Sequence, residues 1–156
     1  MTDTKHILQV LRDELALQTR HCKLLEAQEQ ALLSCDRARF AALQEEHCGM
    51  LAALEAQDDM RRAALRDATG ERLTLSGLKE MLPGAALRGL PALEDGLRRT
   101  LDRVQALTRS NQSLIHNELN YLAFTLDLFV EAGRMADNGY GGGGRQTGRL
   151  MLDRRA

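Results

Sequence analysis

Apolar residues recur every three or four positions along most of this chain, the spacing that places them on one face of a helix. From about Thr4 to Ser34 the repeat alternates threes and fours, as in the heptads of coiled coils. Gln18 and Glu29 interrupt it, and polar residues at such positions fix the register of packing. We therefore expect this helix to have a specific partner helix. The stripe consists of Leu8, Leu11, Leu15, Gln18, Cys22, Leu25, Glu29 and Leu32.

A second helix is predicted after the sequence SCDRARF, where Ser34 or Asp36 can cap it by accepting backbone N–H bonds. Its periodic pattern stops near Thr69-Gly70. Because the connection is short, the first two helices either lie antiparallel or continue as one bent helix, and the pattern fits both. The stripe of this helix is Phe40, Leu43, His47, Met50, Leu54, Arg61 and Leu65.

The longest helix is predicted from about Pro91 to Ala132, after a connector that holds four glycines and Pro83 between Gly70 and Leu90. Its length is on the order of 60 Å at about 1.5 Å per residue, so we expect an elongated molecule. Beyond Leu114 apolar residues spread around the helix, which requires that something bury them. The strict part of the repeat is Leu93, Leu97, Thr100, Val104, Leu107, Asn111, Leu114, Glu118, Tyr121, Thr125 and Leu128.

Periodicity is lost after Gly133, and the chain divides into a helical domain, 1–133, and a Gly-rich tail, 134–156. The tail carries five arginines against two aspartates and few apolar residues, so we expect it to be flexible. Its sequence GYGGGGR is not a phosphate-binding loop, because such loops connect a strand to a helix N-terminus.

Composition supports an all-α fold: an elongated bundle of long, antiparallel, coiled-coil-like helices with a short connector and a flexible C-terminal tail. Ala, Glu, Lys, Leu and Arg make up about half of the residues, as in long helices. With five aromatic residues the chain lacks the material of a sheet. A net charge of −1 argues against nucleic-acid binding, which needs a basic surface. No stretch reads as a transmembrane segment or signal peptide, so we expect a cytoplasmic protein.

No enzyme, cofactor or metal site is predicted. Cys22, Cys35 and Cys48 are spaced by thirteen residues, which turns a helix by about 220° and prevents a shared zinc-binding face. Ser110, Ser113 and His116 share one helical face, but a long helix offers no oxyanion hole or shielded cleft.

Several segments resemble the FlgN family of flagellar type III export chaperones. They are the leucine-rich first helix, the helix CDRARFAALQEEHCGMLAALEAQDDMRR, the segment NQSLIHNELNYLAFTLDLF, and Tyr140-Gly141 in the tail. The resemblance implies a cytoplasmic chaperone that binds the hook-associated proteins FlgK and FlgL, prevents their premature assembly and delivers them to the export gate protein FlhA. It would meet a membrane only through the export apparatus.

The resemblance also implies where partners bind. Tyr140 and Gly141 would contact the export gate. The client would bind the last helix at Asn111, Leu114, Ile115, Leu119, Leu122, Leu126 and Phe129.

Two other functions fit the residues less well. A self-associating coiled-coil scaffold would use the apolar last helix as an oligomer interface. A hydrolase or metal-binding four-helix protein would need inward-facing Glu-x-x-His pairs, and the sequence has none on its predicted helices.

Overall fold

The computed structural model describes residues 2–69, 84 and 88–139, and within these residues the chain is all-α, without strands. Helix α1 spans Thr2–Leu33, α2 spans Arg37–Thr69 and α3 spans Leu90–Gly139. The predicted all-α fold and its three long helices are confirmed. The chain forms two units, Met1–His116 and Asn117–Ala156.

A tight turn joins α1 to α2 and reverses the chain. Cys35 adopts a left-handed backbone conformation with φ of 54°, which lets the Asp36 N–H bond to the Ala31 carbonyl and close the end of α1. Asp36 then caps α2, since its Oδ1 accepts the Arg39 N–H at 3.0 Å. Of the two caps that the sequence allowed, Asp36 is the one used, and the bent single helix is excluded.

Three helices pack together in the first unit. Helix α2 runs antiparallel to α1, because the beginning of α1 meets the end of α2, as in the bond from Gln57 to Val10. Helix α3 runs parallel to α1, since Arg103 binds Glu26 at 3.2 Å and Ser110 binds Glu29 at 2.6 Å further along both helices. The result is an up-down-up arrangement of α1, α2 and α3.

The largest apolar cluster lies where the start of α1, the end of α2 and the start of α3 meet. Leu11 and Leu90 are almost fully buried there, at 1% exposure each. Gly96 allows α3 to approach α1, since a Cβ at this position would lie 3.1 Å from Leu15 Cδ2. The buried members are Ile7, Leu8, Val10, Leu11, Ala64, Leu65, Leu90 and Leu97, with Leu15 and Leu93 packed against them.

Three buried amide side chains each donate a hydrogen bond to a backbone carbonyl of a neighbouring helix. Gln57 Nε2 donates to Val10 O at 2.9 Å, Gln28 Nε2 to Leu43 O at 3.3 Å and Asn111 Nδ2 to Leu25 O at 3.0 Å. Each bond forms only when the helices are aligned as observed. Polar side chains therefore help to set the register, as predicted. Of the two that interrupt the stripe of α1, Glu29 contributes by accepting a hydrogen bond from the Ser110 hydroxyl of α3, and the three amides act in addition.

The limits of α3 differ from the prediction at its C-terminal end. Gly89, with φ of 92°, precedes the helix and its carbonyl accepts the Leu93 N–H, and Pro91 lies in the first turn as expected. The helix ends at Gly139 rather than near Ala132. The sequence pattern predicts an end before Gly133, but a single glycine costs a helix only about 1 kcal/mol, and Arg134, Met135 and Ala136 favour continuation. The predicted connector, apart from Gly84, Arg88, Gly89 and Leu90, and the residues from Tyr140 onward lie outside the described residues.

Candidate protein-binding helix

The helical part of the second unit, residues 117–139, exposes large apolar side chains over five turns. Phe129 is 71% exposed and Met135 is 69% exposed, whereas Leu90, Leu97 and Leu107 of α3 in the first unit are buried. Soluble proteins rarely leave so many large apolar side chains open unless they bind something. The exposed set is Leu119, Tyr121, Phe124, Leu126, Leu128, Phe129, Val130 and Met135.

Apart from Val130, these side chains form two stripes on different sides of the helix. At about 100° of rotation per residue, the two groups lie about 150° apart. We call Leu119, Leu122, Leu126 and Phe129 stripe one; its members are exposed except Leu122, which is half-buried. We call Tyr121, Phe124, Leu128 and Met135 stripe two; all four are exposed. One partner helix covers about one stripe, so both stripes together require more than one contact.

Charged residues separate the stripes on one side of the helix. Asp127 and Glu131 project between them, with Arg134 one turn further on, and all three are exposed. Acidic residues next to apolar stripes favour a partner segment in which basic residues flank apolar ones.

The predicted client-binding residues divide between the two units. Leu119, Leu122, Leu126 and Phe129 make up stripe one. In the first unit, Leu114 and Ile115 are half-buried. Asn111 is buried at 5% exposure, and its amide is bonded to the carbonyl of Leu25. Asn111 therefore holds α3 on α1, although the family resemblance implies that it belongs to the client-binding residues.

Sequence reasoning left the members of stripe two out of the candidate site. Tyr121 and Leu128 looked like part of the internal seam, because they continue the repeat that packs inside the first unit. Their exposure shows that the repeat continues past the region where the chain buries it. Met135 lies beyond Ala132, where the sequence pattern predicts the end of the helix. Tyr140 and Gly141, the predicted contacts to the export gate, lie outside the described residues.

The structure also contains a pair of histidines between α1 and α2 that the sequence analysis did not predict. His21 Nε2 on α1 lies 3.0 Å from His47 Nε2 on α2, so one neutral ring donates a hydrogen bond to the other. Burial, with a smaller contribution from His47, lowers the pKa of His21, and burial lowers the pKa of His47. The pair is therefore held neutral. Antiparallel pairing of the two predicted helices would have brought these residues together.

Among the described residues, few features suggest catalysis or metal binding. In this part of the chain no three His, Cys, Asp or Glu side chains are grouped to hold a metal ion. Cys22 is half-buried, and Cys35 and Cys48 are exposed, all three as free thiols. None of the helices, over the residues described, is apolar enough along its length to cross a bilayer.

A bundle with an open, doubly apolar helix is typical of a helical protein that binds other polypeptides. The family comparison agrees: residues 1–148 match the family described as FlgN protein, and the chain belongs to that family. It is accordingly a chaperone of flagellar export, from a family of chaperones rather than enzymes. The resemblance noted from the sequence is confirmed. No curated protein and no solved structure matches the chain.

Proposed function

We propose that the chain acts in the cytoplasm, where it binds the hook-associated proteins FlgK and FlgL, keeps them unassembled and delivers them to the export gate protein FlhA. Family membership supports the general role, and the observation that supports client binding most directly is the exposure of stripe one. Leu119, Leu126 and Phe129 are 59%, 64% and 71% exposed on a helix that the chain itself leaves open.

Stripe one has the spacing needed to hold an amphipathic helix. Its steps of three and four residues match the i, i+3, i+4 and i+7 anchors by which helices lie along one another. The client segment folds as it binds, and its ordering reduces the net affinity, which keeps release at the gate possible. Leu114 and Ile115, half-buried in the first unit, are secondary contacts in this proposal. Asn111 acts indirectly, by positioning α3.

The proposed gate contact follows the client site closely along the chain. Gly139 lies ten positions after Phe129, which is about 15 Å of helix, and Tyr140 comes next. A gate protein that binds Tyr140 and Gly141 would therefore approach the end of the bound client segment. This proximity offers a simple way to couple docking at the gate to release of the cargo.

The test is capture of the C-terminal segments of FlgK and FlgL by the purified chain, measured by calorimetry. Leu126→Asp and Phe129→Asp each place a charge in stripe one and should weaken binding at least tenfold, since a buried unpaired charge costs several kcal/mol. Leu51→Asp is the matched control, because Leu51 is also an exposed leucine, at 51%, and lies on α2. It should leave affinity unchanged. Equal losses in all three variants would contradict the assignment of stripe one.

The gate part is tested separately with Tyr140→Ala. This variant should bind FlgK and FlgL segments like the parent chain but lose binding to the cytoplasmic part of FlhA. If Tyr140→Ala reduced client capture as much as Phe129→Asp does, the proposed division between client and gate contacts would be wrong.

Self-association is the second candidate, favoured by the exposure of both stripes. A coiled-coil scaffold would bury them against further copies of the chain. Light scattering with and without client segments separates the two functions. A stable high-order oligomer that ignores both segments would indicate a scaffold, whereas small particles that bind one client each would indicate a chaperone.

A further inference from the structure

Residues 149–155 form a segment that neither client binding nor gate contact uses. Its sequence, RLMLDRR, places three consecutive apolar residues between Arg149 and the run Asp153-Arg154-Arg155, and three arginines against one aspartate give it a charge of +2. The segment lies beyond residue 148, where the match to the family ends. Apolar residues flanked by cations fit an apolar surface that carries anions.

Stripe two is such a surface, in the same unit of the chain. Phe124, Leu128 and Met135 are exposed, at 60%, 52% and 69%. Glu131 lies at the edge of this stripe, about 20° of helix rotation from Phe124, and Asp127 follows about 40° further round. Glu118 lies about 20° of rotation from Phe129 of stripe one, but it is half-buried and eleven residues before Phe129, whereas the two acidic residues beside stripe two are both exposed. The charges therefore favour stripe two as the surface that a short basic segment meets.

The length of the intervening chain suits this contact. Leu128 lies eleven residues before Gly139, which is about 17 Å along the helix. Leu150 lies eleven residues after Gly139, and a Gly-rich chain of that length has a root-mean-square span of about 18 Å. A tether of matched span gives an effective concentration in the millimolar range, so that even a weak contact is populated.

We propose that residues 149–155 fold back onto stripe two of the same chain, with Leu150 to Leu152 against Phe124 and Leu128 and the arginines beside Asp127 and Glu131. The free chain then presents one apolar stripe instead of two. Stripe one stays open for the client, while stripe two is covered by the chain's own C-terminal residues. The contact does not depend on the proposed clients, so the two proposals can fail independently.

Aromatic NMR tests the proposal, because the chain has only five Phe and Tyr rings. Spectra of chains labelled with ¹³C at Phe and Tyr are compared between the full chain and a chain that ends at Gly148. The rings of Tyr121 and Phe124 should shift when residues 149–156 are removed. Phe129 in stripe one and Phe40 in α2 should keep their positions. Unchanged signals from Tyr121 and Phe124 would overturn the proposal, as would a shift centred on Phe129.

Two further measurements define the contact. The full chain with Arg154→Glu and Arg155→Glu should give the Tyr121 and Phe124 signals of the shortened chain. Arg12→Glu with Arg109→Glu, which changes the charge equally in the first unit, should not. The spectrum of the full chain should also be the same after tenfold dilution. Signals that move on dilution would mean that the segment binds a second copy, which contradicts the intramolecular contact.

Discussion

Leu107 and Leu128 are matched leucines of helix α3 that differ in their surroundings. Leu107 is 2% exposed within the first unit, whereas Leu128 is 52% exposed in the second. Replacing each by alanine removes the same atoms from the same type of helix. The difference between the two effects therefore measures how far each position is packed.

The two substitutions should differ in free energy of unfolding by about 2.5 kcal/mol. Leu107→Ala removes a buried side chain and leaves a cavity, which costs about 3 kcal/mol. Leu128→Ala leaves no cavity and gains slightly in helix propensity, so it should cost at most about 0.5 kcal/mol. Against a total stability of about 5 to 15 kcal/mol, the first change is easy to detect.

Urea unfolding followed by circular dichroism at 222 nm measures both effects. With a slope of about 2 kcal/mol per M, Leu107→Ala should lower the midpoint by about 1.5 M, and Leu128→Ala by less than about 0.3 M. The chain that ends at Gly148 serves as a second background, which removes any cover by residues 149–155. Similar losses for both leucines in that background would show that Leu128 is packed inside the lone chain, and the open-helix interpretation would be refuted.

Three further predictions concern the first unit. The pKa values of His21 and His47 are lowered in the folded chain, so the free energy of unfolding should fall as the pH drops below about 6.5. The slope is at most about 1.4 kcal/mol per pH unit for each histidine. His47→Gln should reduce this slope, as measured by urea unfolding at several pH values. Cys35→Gly removes the strain of a Cβ in the left-handed conformation and should raise the free energy of unfolding by about 0.5 kcal/mol. Cys48→Gly places a glycine inside α2 and should lower it. In thermal unfolding, the midpoint should therefore rise for the first variant and fall for the second. Asn111→Asp should lower the free energy of unfolding by at least about 2 kcal/mol, because it buries a charge and removes the donor to the Leu25 carbonyl; urea unfolding measures the loss, and a stability equal to that of the parent chain would contradict the role of Asn111 in holding α3 on α1.

The helices were predictable because their stripes are long and regular. The spacing from Leu8 to Leu32 and from Leu93 to Leu114 predicts the helices that pack in the first unit. Residue type limits the cap of α2 to Ser34 or Asp36, and the structure decides for Asp36. The antiparallel turn was not, since it depends on Cys35 taking a backbone conformation that cysteine rarely adopts.

The candidate site was predictable only in part. Stripe one follows from spacing, but a heptad repeat has the same appearance whether its partner is the same chain or another. Asn111 and Leu128 belong to one repeat, yet the first is buried and the second is open. That difference depends on which helices the fold places beside each position. The sequence pattern carries no such information.

The three amide bonds between helices determine which substitutions the bundle can accept. Aliphatic side chains such as Leu11 and Leu25 have near equivalents, and an exchange for isoleucine or methionine keeps most of their packing. Gln28, Gln57 and Asn111 have no equivalent of the same shape that also donates to a carbonyl. Among relatives or in a randomised library, the leucine positions should therefore drift among aliphatic residues, while combined loss of the amides should give chains that remain helical but populate several alignments.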